Sequence, residues 1–245
     1  MEESAYIGLT VAGLVYFALG ARLVWLGIRA GSNGERLLGL TFLIWGLSYV
    51  FWVIPIAIQA ARDLESQFFI AAHITTNIGD IGFTFVPYLT FRRGSTWAKW
   101  LVAAIATFLV AGAAGSIWAG DAEGVDLIRN GWWWSEWIAH VTPSIWIGVE
   151  GLHHYGTSRR GVRLGLCEPI ASHRYLLWGL AGVSWTLLEL ASIVQSFDFW
   201  AHRSWSTSFD ILVGFFEVAA LAMIWLAYFA PAAYQRKINA SAVSA

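Results

Sequence analysis

Seven unbroken apolar stretches divide this sequence, at about 5–28, 37–60, 67–91, 97–118, 132–154, 174–196 and 207–231. About 20 residues at a rise of 1.5 Å each cross a hydrocarbon core of roughly 30 Å as a helix. Strands are excluded, because a membrane barrel needs alternating segments of about ten residues and these runs are continuous. The residue inventory agrees. The chain is 58% hydrophobic and 13% charged, where a soluble domain carries about 45–50% and about 25%. In water it would expose large apolar patches, and it holds too much apolar surface to remain disordered. The expected fold class is therefore all-α integral membrane. One transmembrane domain of seven helices spans residues 1–245.

Charge placement predicts the orientation. The side reached after helices one, three, five and seven holds Arg22, Arg29, Arg36, Arg92, Arg93, Lys99, Arg159, Arg160, Arg163, Arg174, Arg236 and Lys237. The opposite side holds Arg62, Arg129 and Arg203. Twelve against three places the N-terminus outside and the C-terminus inside, in a plasma (inner) membrane crossed many times. The outer side is acidic, with Glu2, Glu3, Asp63, Glu65, Asp121, Glu123, Asp126, Glu136 and Asp198. Trp132, Trp133, Trp134 and Trp137 open helix five there, and Trp200 and Trp205 flank the last outer loop. Indole rings favour that headgroup depth. Met1-Glu2-Glu3 is acidic where a cleavable signal would be basic, so the first run is expected to stay as a span.

Two connections stand out by length. Outer loop 119–131 is acidic, with room for a short interfacial helix, and inner loop 155–173 is basic around Cys167, Glu168 and Pro169. Cys167 is the single cysteine, which excludes an intrachain disulfide. The net charge of −1 offers no basic field for nucleic acid. Helices two and six share a pattern, Gly46-Leu47-Ser48-Tyr49 against Gly182-Val183-Ser184-Trp185, at an offset of 136. Asp80 and Glu217 sit 137 apart, so helices one to three and five to seven read as a parallel 3+1+3 repeat. Chance similarity between apolar helices is the competing explanation.

Ionisable groups at membrane depth are costly and face the bundle interior, so function is sought there first. They are His73, Asp80, His140, Glu150, Glu189, Asp210 and Glu217, with Asn77 and Gln195 as neutral company. By the helical rise His73, His140 and Glu189 all lie about 10 Å below the outer boundary. Asn77 shares the His73 face one turn deeper. A two-histidine, one-carboxylate set suits zinc or non-haem iron, and His73 with His140 could instead flank a haem. Both compete with a polar network that only fixes helix packing. Asp80 and Glu217, if close, could hold a proton, bind a cation or counter a positive ligand. His153-His154 reads as an interfacial pair, with Glu150 one turn before His154. Arg159-Arg160-Gly161-Val162-Arg163 reads as an anionic-lipid contact.

With its central Asp80 on helix three and Glu217 on helix seven, the chain resembles microbial rhodopsins. Trp178 and Trp185 stand where that family has the aromatic walls of its cofactor pocket, which makes them the cofactor-binding candidates. The resemblance implies no retinal Schiff base. In the stretch Glu217-Val218-Ala219-Ala220-Leu221, Leu221 occupies the lysine position. The segment Glu35 to Leu47 also resembles helix two of bacterial seven-helix sensory modules, which implies output through a separate cytoplasmic partner.

The function expected is a membrane sensor or ligand-binding bundle. Its polar pocket is His73, Asn77, Asp80, His140, Glu189 and Glu217, and it responds to protons or a small ligand. One alternative is an intramembrane metal or haem enzyme on His73, His140 and Glu189. Another is a structural or pigment-associated subunit of a membrane complex. The expected partners are the lipid bilayer, a signalling or membrane-complex partner and a second copy meeting helix four. Helix four is free of ionisable groups between Trp100 and Trp118 and carries Gly112-Ala113-Ala114-Gly115 for close backbone approach.

Overall fold

A computed structural model describes residues 3–58, 64–119, 131–202 and 207–243. Among these residues the chain is wholly helical, with no strand. The elements are α1 (Glu3–Ala30), α2 (Asn33–Ala57), α3 (Glu65–Phe91), α4 (Thr96–Trp118), α5 (Gly131–Arg163), α6 (Pro169–His202), α7 (Thr207–Phe229) and α8 (Ala232–Val243). Five stretches are long and apolar enough to cross a membrane: Thr10–Ala30, Asn33–Pro55, Thr96–Trp118, Pro169–Phe197 and Ile211–Phe229. They mark a helical, membrane-embedded protein. α3 and α5 are as long, but His73 and Asp80 interrupt the first and Glu136, His140 and Glu150 the second. Of the expected outer loop 119–131, residues 120–130 lie outside the described set, as do Arg62, Asp63, Arg203 and Trp205 and the side chains of Asp198, Trp200 and Asp210.

The inner loop expected at 155–173 is mostly helix. α5 continues to Arg163, and α6 begins at Pro169, whose fixed φ and missing N–H suit a first helical turn. Only 164–168 remain between them. Gly165, at φ +69, ends α5. Leu166 N–H donates to the Gly161 carbonyl at 2.8 Å and Gly165 N–H to that of Val162 at 3.0 Å. This is a Schellman closure, and its left-handed position favours glycine. The α1–α2 turn repeats it, with Gly31 at φ +67 and Ser32 N–H donating to the Gly27 carbonyl at 3.0 Å. Beyond α7, and past the last apolar run, the chain forms one more helix, α8. Pro231 cannot donate to continue α7, and Gln235 N–H on the Pro231 carbonyl, at 3.1 Å, starts the new helix.

The chain forms two compact units, which part within α5 between His140 and Val141. The first comprises Met1–His140 with Trp200–Arg203, the second Val141–Phe199 with Ser204–Ala245. In lipid, helices associate through close packing and interhelical hydrogen bonds, because the tails are as apolar as leucine. The first unit follows that rule. A side chain begun at Gly39 would come within 2.6 Å of the Val24 nitrogen and 2.7 Å of the Gly20 carbonyl, so α1 and α2 meet backbone to backbone. Tyr16 anchors the aromatic core, edge-on to Phe42 at 5.5 Å and stacked on Tyr49 at 5.5 Å. Trp45 carries that core to α3, 5.0 Å from the Phe83 ring and lying over Gly79. Ser48 ties α2 to α3 by donating to the Ala72 carbonyl at 3.1 Å. Ile105 and Leu109 of α4 pack with Ala139 of α5 and Ile81 of α3.

The second unit is built on an α5–α6 seam of Gly148, Gly151, Gly179 and Gly182. Ser158 donates to Ser172 at 2.9 Å near its end. α7 joins through Tyr228, 6.0 Å edge-on from Trp178, and α8 through Tyr234, beside His173.

Candidate functional site: an acid–imidazole chain between α3 and α5

His73, Asn77 and Asp80 fall at i, i+4 and i+7 of α3 and so share one face. α5 answers with Glu136 and His140, also at i and i+4. All five belong to the first unit. α4 makes the room. A β-carbon on Gly112 would lie 2.7 Å from that of Glu136, so only glycine lets the acid in. Gly112 and Gly115 are expected to let another backbone approach α4 closely, and α5 does so, with Glu136 over Gly112 and the Trp132 ring over Gly115. The buried positions of α4 are apolar apart from Ser116 and bring no titratable group.

Glu136 is the centre. Its Oε1 lies 3.1 Å from His73 Nε2 and 3.6 Å from His140 Nε2. Asn77 Nδ2 donates to the same oxygen, and also to the His73 carbonyl at 3.0 Å. His140 turns its other nitrogen, Nδ1, to Asp80 Oδ2 at 2.8 Å. The groups alternate: imidazole, carboxylate, imidazole, carboxylate. The two carboxylates are deeply buried, with side-chain exposures of 4% for Glu136 and 9% for Asp80, whereas His73 keeps 21%. His140 keeps 18%, so both rings are more open than the two acids. Glu136 Oε2, Asn77 Oδ1, His73 Nε2 and Asp80 Oδ2 are all buried without an aligned hydrogen bond among the described residues, so His73–Glu136 and His140–Asp80 are close ion-pair contacts.

Hydrogen-bond counting shows what this chain can do. A neutral imidazole donates from one nitrogen only, and an imidazolium from both. His140 faces Asp80 at 2.8 Å and, more loosely, Glu136 at 3.6 Å, so its neutral form can turn an N–H to one acid and its charged form offers one to each. With both carboxylates ionised and both rings neutral, the four groups carry two negative charges, and two protons cancel them. An uncompensated buried charge is expensive, so proton number and local packing are coupled here.

The structure brings together His73, Asn77, Asp80 and His140 of the expected pocket. Glu136 was placed with the outer acidic rim, and that placement is corrected: it is buried at the centre. The available signal was its i, i+4 spacing to His140. Glu189 on α6 and Glu217 on α7 belong to the second unit, both half-buried, as do the buried Trp178 and Trp185. The proposed metal set therefore draws His73 and His140 from one unit and Glu189 from the other. Among the described residues no group of three or more His, Cys, Asp or Glu is arranged to hold a metal ion. In the second unit His154 faces Glu150 at 3.7 Å, and Trp146 donates to Glu150 Oε1 at 3.3 Å. His153 points outward.

No family model, no curated protein and no solved structure matches this chain.

Proposed function

We propose that the protein is a seven-span sensor of the plasma membrane, N-terminus outside, whose response centre is the chain His73–Glu136–His140–Asp80. The observation that carries this reading is the unbroken alternation of acid and imidazole, at 3.1, 3.6 and 2.8 Å, around two buried carboxylates. In this reading α3 and α5 complete the seven spans, and the ionisable groups that lower their hydropathy are the reason they are there. Histidine is the side chain whose ordinary charge change falls nearest neutral pH, which suits it to a proton-responsive centre. Each proton taken up converts a ring lone pair facing a carboxylate into a charge-assisted hydrogen bond. That draws α3 and α5 together, and release lets them part. The basic inner side passes the change to a cytoplasmic signalling partner.

Difference infrared spectroscopy of the purified protein tests this, with tryptophan fluorescence recorded in parallel over about pH 5 to 8. Imidazole and carboxylate bands are expected to change together with the fluorescence of Trp133, Trp134 and Trp137, which form a contiguous cluster on the first turns of α5. The coupled change should vanish in His73→Gln/His140→Gln. An unchanged transition in that double variant, or a silent wild-type protein, would refute the reading.

A further inference from the structure

Within the second unit, one end collects positive charge from three helices. Arg159, Arg160 and Arg163 occupy the last turns of α5. Arg174 lies in the opening turns of α6, which the Ser158–Ser172 hydrogen bond at 2.9 Å sets beside them. Arg236 and Lys237 follow Tyr234 on α8, and the Tyr234 hydroxyl, 3.3 Å from His173 Nδ1, brings that helix to the start of α6. All six basic side chains are exposed. Between Tyr155 and Arg174, and along the described part of α8, the only acid is Glu168.

Position selects the partner. One apolar span, Pro169–Phe197, begins at this end and another, Ile211–Phe229, stops there. The six charges are therefore level with the place where hydrocarbon gives way to headgroups. α8 is built for that layer. Tyr234 and Ile238, at i and i+4, are half-buried while Arg236 and Lys237 are exposed. Burial pushes the Tyr234 phenol above its usual range, which keeps it a neutral hydrogen-bonding group at the α6 contact. Tyr228 and Phe229 close α7 at the same level, as aromatic side chains do at interfaces.

We propose that this end of the second unit, formed by the close of α5, the opening of α6 and α8, binds the headgroups of anionic phospholipids. The site is separate from the acid–imidazole chain and does not depend on its role. Each Lys or Arg near an anionic surface contributes about a fivefold preference, and salt screens it beyond roughly 10 Å at 0.1 M.

The test uses the whole protein in nanodiscs of equal phosphatidylglycerol and phosphatidylcholine, with native mass spectrometry counting the lipids retained on release. Retention of phosphatidylglycerol over phosphatidylcholine is expected, falling about fivefold for each charge removed in Arg159→Gln, Arg160→Gln and Arg174→Gln. These side chains are exposed, and unchanged helicity by circular dichroism confirms folding. Arg22→Gln/Arg29→Gln, in the first unit, is expected to leave the count unaltered at the second. Equal retention of the two lipids overturns the proposal, and so does an equal loss in the Arg22/Arg29 variant. Displacement of phosphatidylglycerol by millimolar inorganic phosphate would also overturn it, since the site would then be one for free anions.

Discussion

Gly151→Val is expected to prevent the α5–α6 hairpin from assembling. A β-carbon at residue 151 would lie 2.5 Å from the Gly179 nitrogen, 2.7 Å from its Cα and 3.0 Å from the Tyr175 carbonyl oxygen. All three are main-chain atoms inside a helix, so no rotamer change relieves the clash. Overpacking a core costs about 1–3 kcal/mol when side chains can shift, and a rigid obstacle puts this case at or above the upper end. Gly156→Val provides the control. It lies on the same helix, and an added β-carbon there meets nothing within 4 Å. Unfolding of the purified variants in detergent, followed by circular dichroism, should place Gly151→Val at least about 3 kcal/mol below Gly156→Val. Equal stability would show that the seam is looser than described.

Glu136→Ala should be the most damaging change in the first unit. It removes the one oxygen shared by His73, His140 and Asn77. Breaking a buried ion pair from one side costs about 3–5 kcal/mol, because the remaining partners lose their acceptor. Glu136→Gln separates stability from function. It keeps the volume in the Gly112 niche and one carbonyl acceptor, so it should unfold nearer to wild type than to Glu136→Ala. It cannot ionise, so the coupled infrared and fluorescence response should be absent from both. A Glu136→Gln protein that titrates like wild type would remove Glu136 from the response centre.

The helical character of the chain was legible because apolar length is a local property. Where apolar length stopped being the signal, the reading stopped too. Residues 155–163 extend α5 although Arg159, Arg160 and Arg163 make them polar, and α8 is too polar and too short to register as a span. The face carrying His73, Asn77 and Asp80 could be read from helical spacing alone. Glu136 shares a face with His140 by the same spacing, but its burial depends on what α4 presents to a helix start rich in tryptophan, which spacing does not tell. Gly112, which admits Glu136, read from sequence as a place where another backbone approaches α4. A small residue announces that something comes close, and only the tertiary arrangement says what.

Cys167 is the only cysteine in the 245 residues, and it is exposed, with its sulfur packed over Gly161 between α5 and α6. The protein thus arrives with a single thiol address at its basic end, and no background cysteine has to be removed. A maleimide that cannot cross bilayers reads sidedness directly: with the C-terminus inside, it should modify inverted vesicles and spare sealed cells. The reverse pattern would turn the whole topology over. A nitroxide at the same address would report, in the unmodified sequence, how deeply that end sits among the headgroups.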